Sequence, residues 1–144
     1  MTLIKHVLRN KKNPPVTAAP GDSVYSALEA MAKHNIGAVL VMEGKSLVGI
    51  LSERDYARKV VLKGKLSKDT LVREIMSDKV HFATPDQSVD ECLARMTHAR
   101  FRHMPVLDGE KNVIGIVSIG DLVKEKIAEQ ELVIDQLQQY ITAG

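Results

Sequence analysis

The sequence predicts a mixed α/β (α+β) chain folded as two similar halves, and three observations carry that reading. The phrase Gly49-Ile-Leu-Ser-Glu-Arg-Asp55 returns as Gly115-Ile-Val-Ser-Ile-Gly-Asp121, sixty-six positions later, each time closing an apolar run and opening a helical pattern. Pro20 matches Pro85, Val24 Val89, Leu28 Leu93, Met31 Met96 and Val41 Val106 at an offset of sixty-five, and one inserted residue in the second turn accounts for the difference. Within each copy, apolar residues switch between helical spacing and short continuous runs, so helices alternate with strands. An internal repeat fixes the architecture before any element is considered. The expected organisation is an N-terminal helical segment over 1–13, a first repeat with its connector over 14–76, a second repeat over 77–127 and a helical extension over 128–144. These should make one compact domain with internal pseudo-symmetry.

Each copy reads as strand, helix, two strands, helix (βαββα). In the first, Val16-Thr-Ala is a short extended piece stopped by Pro20-Gly21. Asp22 and Ser23 offer capping oxygens, and Val24, Ala27, Leu28, Met31 and Ala32 make the stripe of an amphipathic helix that stops near Asn35-Ile-Gly37. Ala38-Val-Leu-Val-Met42 and Leu47-Val-Gly-Ile-Leu51 are strands of a hairpin around Glu43-Gly-Lys-Ser46. Ser52 caps a helix from Glu53 to about Lys63, ended by Gly64.

The second copy repeats the pattern. Ser88 with Glu91 reads as a capping box, Val89, Cys92, Leu93 and Met96 form the buried stripe, and Met104-Pro-Val-Leu107 with Val113-Ile-Gly-Ile-Val117 forms the hairpin around Asp108-Gly109. Pro105 places its strand at an edge or marks its beginning. A terminal helix from about Ile119 to Tyr140 carries Leu122, Val123, Ile127, Val133, Ile134, Leu137 and Ile141 on one face. That face needs a cover, either this domain or a second subunit.

Composition bounds the function. A hydrophobic content of 44% with 26% charged residues supports a packed core. The longest apolar runs are too short to cross a membrane, and the N-terminus lacks the apolar stretch and cleavage site of a secretory signal. Cys92 is the single cysteine, so no intramolecular disulfide can form and a reducing, cytoplasmic setting is expected. A formal charge of +2 does not ask for nucleic acid or an anionic membrane.

With these residues in place, the chain resembles the cystathionine beta-synthase (CBS) domain, here as a tandem pair. The resemblance covers roughly residues 14 to 127, and the stretch from Gly49 to Val61 is similar to that of small bacterial stand-alone CBS-pair proteins. It implies a disc-like pair related by a pseudo-two-fold axis, two clefts between the copies that commonly hold adenine nucleotides, and association of discs into a homodimer.

The residues suit that role chemically. A carboxylate can accept from both hydroxyls of a ribose, and a hydroxyl beside free amides at a helix start suits a phosphate. Ser52 with Asp55, and Ser118 with Asp121, supply these groups, although Ser-x-x-Asp is also close to a capping box that merely starts a helix. In relatives of this family, basic residues at the entrance of the hairpin reach phosphates. Arg102 and His103, just before Met104 and Pro105, match those positions, whereas the first copy has Ile36-Gly37-Ala38 there. The two sites are therefore expected to be unequal, with Arg54 and Arg58 compensating in the first. By the family's cross-copy geometry, the Asp121 site would take its adenine contacts near Thr17 and Ala18. The Asp55 site would take them near Ala83 and Thr84, with Ile36 or Val16 as packing partners.

The ligand expected first is AMP, with NAD, ADP or ATP also possible, and S-adenosylmethionine shares the same adenosine. No metal is expected, because His6, His34, His81, His98 and His103 lack ligand spacing. Cys92 lies on an apolar stripe and reads as structural, so the chain is expected not to be an enzyme. Any signal would pass to a separate, unidentified protein. Two other classes stand beside this reading. A ligand-free oligomerisation or interaction module would use both aspartates only as caps. A nucleic-acid binder would use Lys5, Arg9, Lys11 and Lys12 and the basic helix after Ser52, but a 3% aromatic content leaves few stacking platforms and acids interrupt the basic stretch.

Overall fold

The computed structural model describes residues 1–11 and 14–143, and its contacts divide the chain into two units: Pro14–His81, and Met1–Asn13 with Phe82–Gly144. Lys12 lies outside the described residues. The first unit is continuous in sequence and the second is not.

In the continuous unit, Thr17–Ala18 (β1) pairs in parallel with Ala38–Glu43 (β2), which pairs antiparallel with Ser46–Ser52 (β3) in the order β1-β2-β3. Between β1 and β2 runs Val24–His34 (α2), numbered here after the N-terminal helix α1 (Ile4–Arg9). Ser23 caps α2 by accepting from the Ser26 amide at 3.1 Å, and Asn35 closes it in the left-handed region at φ 52. Val24, Ala27 and Met31 are buried and Leu28 is partly buried, as helical spacing requires. Ala32 is exposed, because the buried arc of α2 ends at Met31.

The segment after β3 departs from the sequence expectation of one α-helix. It is α-helical only over Glu53–Tyr56 (α3) and then widens into a π-helical turn over Ala57–Val61, where the Leu62 amide donates to the Ala57 carbonyl at 3.1 Å. The extra residue per turn is consistent with burying Val60 while leaving Val61 exposed. Gly64, at φ 67, ends the segment.

A short helix, Val72–Ile75 (α4), completes this unit. It was not anticipated from sequence. The Val72 and Arg73 amides donate to the carbonyls of Asp22 and Pro20, and the Ser77 and Ile50 backbones exchange two bonds.

The discontinuous unit repeats this plan with its lead-in taken from the other end of the chain. Val89–Ala99 (α5) is followed by the hairpin of His103–Leu107 (β4) and Val113–Ser118 (β5), and by the long Ile119–Ala143 (α6). The opening strand shrinks to a single parallel bridge, Ala83 to Val106, because Pro85 follows at once and the Gln87 side chain accepts the Thr84 amide in a turn. The Pro105 carbonyl accepts from Ala83, so its missing N–H faces that bridge and no β4–β5 bond is lost. The Ser88 cap accepts from the Glu91 amide, but the reciprocal half of the expected capping box is not formed. Thr2 and Ile4 bond to Val89 and Gln87 on either side of Ser88.

Helix α1 occupies in this unit the place that α4 occupies in the other. Ile4 and Lys5 donate to Gln87 and Pro85, as Val72 and Arg73 donate to Asp22 and Pro20. His6 accepts the Leu3 amide, as Glu74 accepts the Leu71 amide. Ile4 and Val7 are buried with Val89, Cys92, Met96, Met104, Val117 and Leu122, and Val72 and Ile75 with Val24, Met31, Val39, Val41 and Leu51. The sequence carries this match as Thr2-Leu-Ile-Lys-His-Val-Leu8 against Thr70-Leu-Val-Arg-Glu-Ile-Met76, at an offset of sixty-eight.

The glycine that opens each repeated phrase is where the lead-in lies against the hairpin. A Cβ on Gly115 would stand 2.5 Å from Leu8 Cδ2, and one on Gly49 would stand 2.7 Å from Met76 Sδ and 3.0 Å from the Ser77 carbonyl oxygen. Gly115→Ala should therefore destabilise the protein by no more than about 1 kcal/mol, since the atom met is the tip of a side chain that can turn aside. Denaturant unfolding of the Gly115→Ala/Leu8→Ala pair should show a loss smaller than the sum of the two single losses, since only Leu8 crowds the new methyl. Additive losses would mean that α1 does not pack on Gly115.

Candidate functional site

Each repeated phrase builds the same local object. Strand β3 delivers Ser52 to the start of α3, where the Asp55 amide donates to Ser52 Oγ at 3.2 Å and the Ser52 amide and hydroxyl donate to Asp55 Oδ2 at 2.9 and 3.0 Å. Strand β5 delivers Ser118 to α6, where the Asp121 amide donates to Ser118 Oγ at 3.1 Å and the Ser118 amide to Asp121 Oδ2 at 2.9 Å. Both are reciprocal caps, each serine replaceable by alanine at a cost of about 1 kcal/mol.

The residues before each hairpin close on these caps through backbone. The Gly37 carbonyl accepts from the Glu53 amide at 3.0 Å, and the Arg102 carbonyl accepts from the Ile119 amide at 2.8 Å. Ala38 stands opposite Ser52 and His103 opposite Ser118 in the two ladders. Gly37 thus joins Ser52 and Asp55, while Arg102 and His103 join Ser118 and Asp121. The main-chain frame is shared, and the side chains differ: nothing at Gly37, an exposed guanidinium at Arg102, a partly buried imidazole at His103. Ile36 is partly buried against the core of its unit.

The other residues singled out from sequence sit elsewhere within their own units. Thr17 is exposed and Ala18 buried on β1, paired with Leu40 and Val41. Ala83 is buried, Thr84 partly so, and Pro105 is buried beside Ala83. Arg54 and Arg58 are both exposed, Arg54 on α3 and Arg58 in the π-helical turn.

Sequence reasoning missed the lysines. Each phrase carboxylate carries an ammonium that also holds a main-chain carbonyl. Lys59 Nζ lies 3.3 Å from Asp55 Oδ1 and donates to the Ile75 carbonyl at 2.9 Å. Lys11 Nζ donates to Asp121 Oδ2 at 2.8 Å and to the Ile116 carbonyl at 2.7 Å. Lys59 comes from the helix of its own phrase. Its counterpart in the second copy is Glu125, which accepts from Asn10 at 2.8 Å, so there the lysine comes from the lead-in segment. The i, i+4 spacing from Asp55 could have announced Lys59. No spacing could have announced Lys11, since its partner is 110 positions away.

Burial pushes the Asp121 carboxyl up, but the bonds from Lys11 and Ser118 outweigh it and hold the group below the ordinary carboxylate range. Lys5 is likewise paired, with Asp86 at 3.3 Å, so Lys5 and Lys11, both considered for nucleic acid, are engaged with acids. Cys92 is buried and burial pushes its thiol up, which disfavours the thiolate a nucleophile needs. Among the described residues no group of three His, Cys, Asp or Glu side chains could hold a metal ion, and no helix is long and apolar enough to cross a membrane.

Two copies of a strand-hairpin-helix unit, each with a glycine-led phrase ending in a Ser-x-x-Asp cap, define a tandem CBS architecture. The CBS domain family matches residues 4–62 and 72–128, and the chain belongs to it. Both matches begin on the lead-in helices. The chain is 41% identical over 128 residues to the CBS domain-containing protein CBSX3, mitochondrial, of Arabidopsis thaliana, covering 85% of this chain and 62% of that protein's length. Among solved structures, a CBS-domain protein described as a putative signal-transduction protein from Burkholderia ambifaria superposes with a TM-score of 0.84 at 49% identity, covering 90% of this chain and 96% of that one. The CBS domain pair of protein MJ0100, in complex with 5′-methylthioadenosine and S-adenosyl-L-methionine, superposes with a TM-score of 0.78 at 28% identity, covering 90% and 98%.

A carboxylate whose pKa is depressed by folding stabilises the folded chain above its unfolded pKa, and that contribution is lost as the pH falls through the folded value. Lys11→Met should therefore lower the melting temperature slightly at pH 7, as a partly exposed pair allows. The gap from wild type should close as the pH is taken below about 4. A gap that stays constant would show that Lys11 acts through its aliphatic stem.

Proposed function

We propose that this chain is a non-catalytic regulatory module that binds an adenosine-containing ligand through the carboxylates of Asp55 and Asp121. The observation that carries the reading is the pairing of Ser118 and Asp121 with Arg102 and His103 at one corner of the second repeat. A ribose diol would donate to the carboxylate, and the Arg102 guanidinium and His103 imidazole at the hairpin entrance would face a phosphate. The first repeat offers Ser52 and Asp55 with Gly37 in place of a cation, so its site favours the nucleoside part, with Arg54 and Arg58 as its nearest candidate phosphate ligands. Thr17, Ala18, Ile36, Ala83, Thr84 and Pro105 are the residues proposed to bracket the base. The adenosine ligands of the MJ0100 pair support this chemical class. AMP is the first choice, with NAD, ADP or ATP sharing the same adenosine.

Isothermal titration with AMP, ADP, ATP and NAD tests the reading. Asp55→Ala and Asp121→Ala should each abolish one class of site while the fold persists, and unchanged affinity in both would sink the ribose assignment.

A second reading is favoured by the caps themselves. Asp55 and Asp121 already serve serines and lysines, as they would in an interaction module without ligand. Thermal stability unaltered by all four nucleotides would favour it.

The module is proposed to work as a cytoplasmic homodimer that signals to a separate protein. From residue 130 to residue 142 every side chain of α6 is exposed, including Val133, Ile134, Leu137 and Ile141. Packing that face on a second copy would remove it from water. Light scattering of a chain ending at Ala128 should show a monomer; a dimer of unchanged stability would remove α6 from the interface.

A further inference from the structure

The lead-in segment places a cation on the very carboxylate that the proposed ligand would use. Lys11 Nζ shares Asp121 Oδ2 with the Ser118 amide and is held in place by the Ile116 carbonyl, while Asn10 is fixed on Glu125 one turn along α6. Behind this pair, Leu8 lies on Gly115, and Ile4 and Val7 are buried in the core, so the segment is anchored up to its last turn. Lys11 itself is about one third exposed, as is Asp121, and such a pair exchanges its partners at small cost. The first repeat has no comparable arrangement, because Lys59 belongs to the same short stretch as Asp55 and approaches the other oxygen, Oδ1.

We propose that residues 10–11 form a latch over the second-repeat site: Lys11 occupies Asp121 in the unliganded protein, and a ribose diol binds by displacing it. The latch rests on the reading of Asp121 as a ribose acceptor. It couples that site to the N-terminal segment, since a ligand that takes the carboxylate frees Asn10 and Lys11 while α1 stays anchored by its apolar face. At the first site the ammonium on Asp55 is that of Lys59, from the same phrase, so its displacement would free no lead-in segment. The two halves would then differ in regulation as well as in phosphate contacts.

Adenosine is the discriminating probe, because it carries the diol and no charge. In the full-length Asp55→Ala protein, which leaves only the second site, Lys11→Met should tighten adenosine binding about fivefold, the scale of one partly exposed ion pair. Lys11→Arg should leave adenosine affinity near that of its parent. In the otherwise unaltered protein, hydrogen exchange at residues 9–11 should speed up when adenosine is added. If Lys11→Met leaves adenosine affinity unchanged, or weakens AMP while sparing adenosine, Lys11 is a bystander or a phosphate ligand and the latch is overturned, with the ribose reading intact. If adenosine and AMP bind neither the wild-type protein nor Lys11→Met, the ribose reading fails and the latch fails with it.

Discussion

The contact on which the rest of each unit depends is a side chain laid across a glycine. Leu8 on Gly115, and Met76 on Gly49, bring a lead-in helix so close to a hairpin strand that an added Cβ would press on the tip of that side chain. The approach lets Ile4 and Val7, or Val72 and Ile75, reach the core under α5 or α2. It also fixes the strand that delivers the serine of the cap. Without a lead-in, the apolar face of each hairpin would be open to water, at a cost of roughly 1.5–3 kcal/mol for each large side chain left uncovered. The caps are therefore downstream of this packing. Local hydrogen bonds orient Asp55 and Asp121, but the lead-ins hold the platform still.

Much of this was legible in the sequence. The two hairpins, α2, α5 and α6 follow from periodicity, and Ser52 and Ser118 were identifiable as caps, because these features are set by residues three or four apart. The elements that escaped are those decided elsewhere in the chain. The second copy's opening strand reduces to one bridge because Pro85 and Gln87 turn the chain away after Ala83. The π-helical turn at Ala57–Val61 reflects a demand of packing that propensity does not encode. The lead-in repeat was present as Thr-Leu-aliphatic-basic at residues 2–5 and 70–73, but its offset of sixty-eight differs from that of the rest, and α4 spans only four residues. At the candidate site, Gly37 and Arg102 could be aligned from sequence. That both use a carbonyl to bind the first helical amide could not.

The repeated phrase carries two demands that are chemically compatible. A reciprocal cap needs a carboxylate that accepts from one amide, which leaves lone pairs over, and a ribose needs a carboxylate with lone pairs to offer. One aspartate can therefore start a helix and remain available to a ligand. Its worth as a cap, about 1 kcal/mol, is small enough that binding need not unfold the helix. Lys59 and Lys11 already draw on this remaining capacity.

The discontinuity of one unit bears on how the polypeptide is made. Leu8 is synthesised first, and residues 9–114 must follow before Gly115 exists to receive it. The continuous unit, residues 14–81, contains its own lead-in, and α4 is in hand once residue 77 has emerged. Synthesis from the N-terminus thus completes the unit encoded in the middle before the one that includes the beginning. Closing α1 onto its glycine then follows the folding of much of the chain in between, which lowers the conformational entropy that a disordered loop of that length would lose.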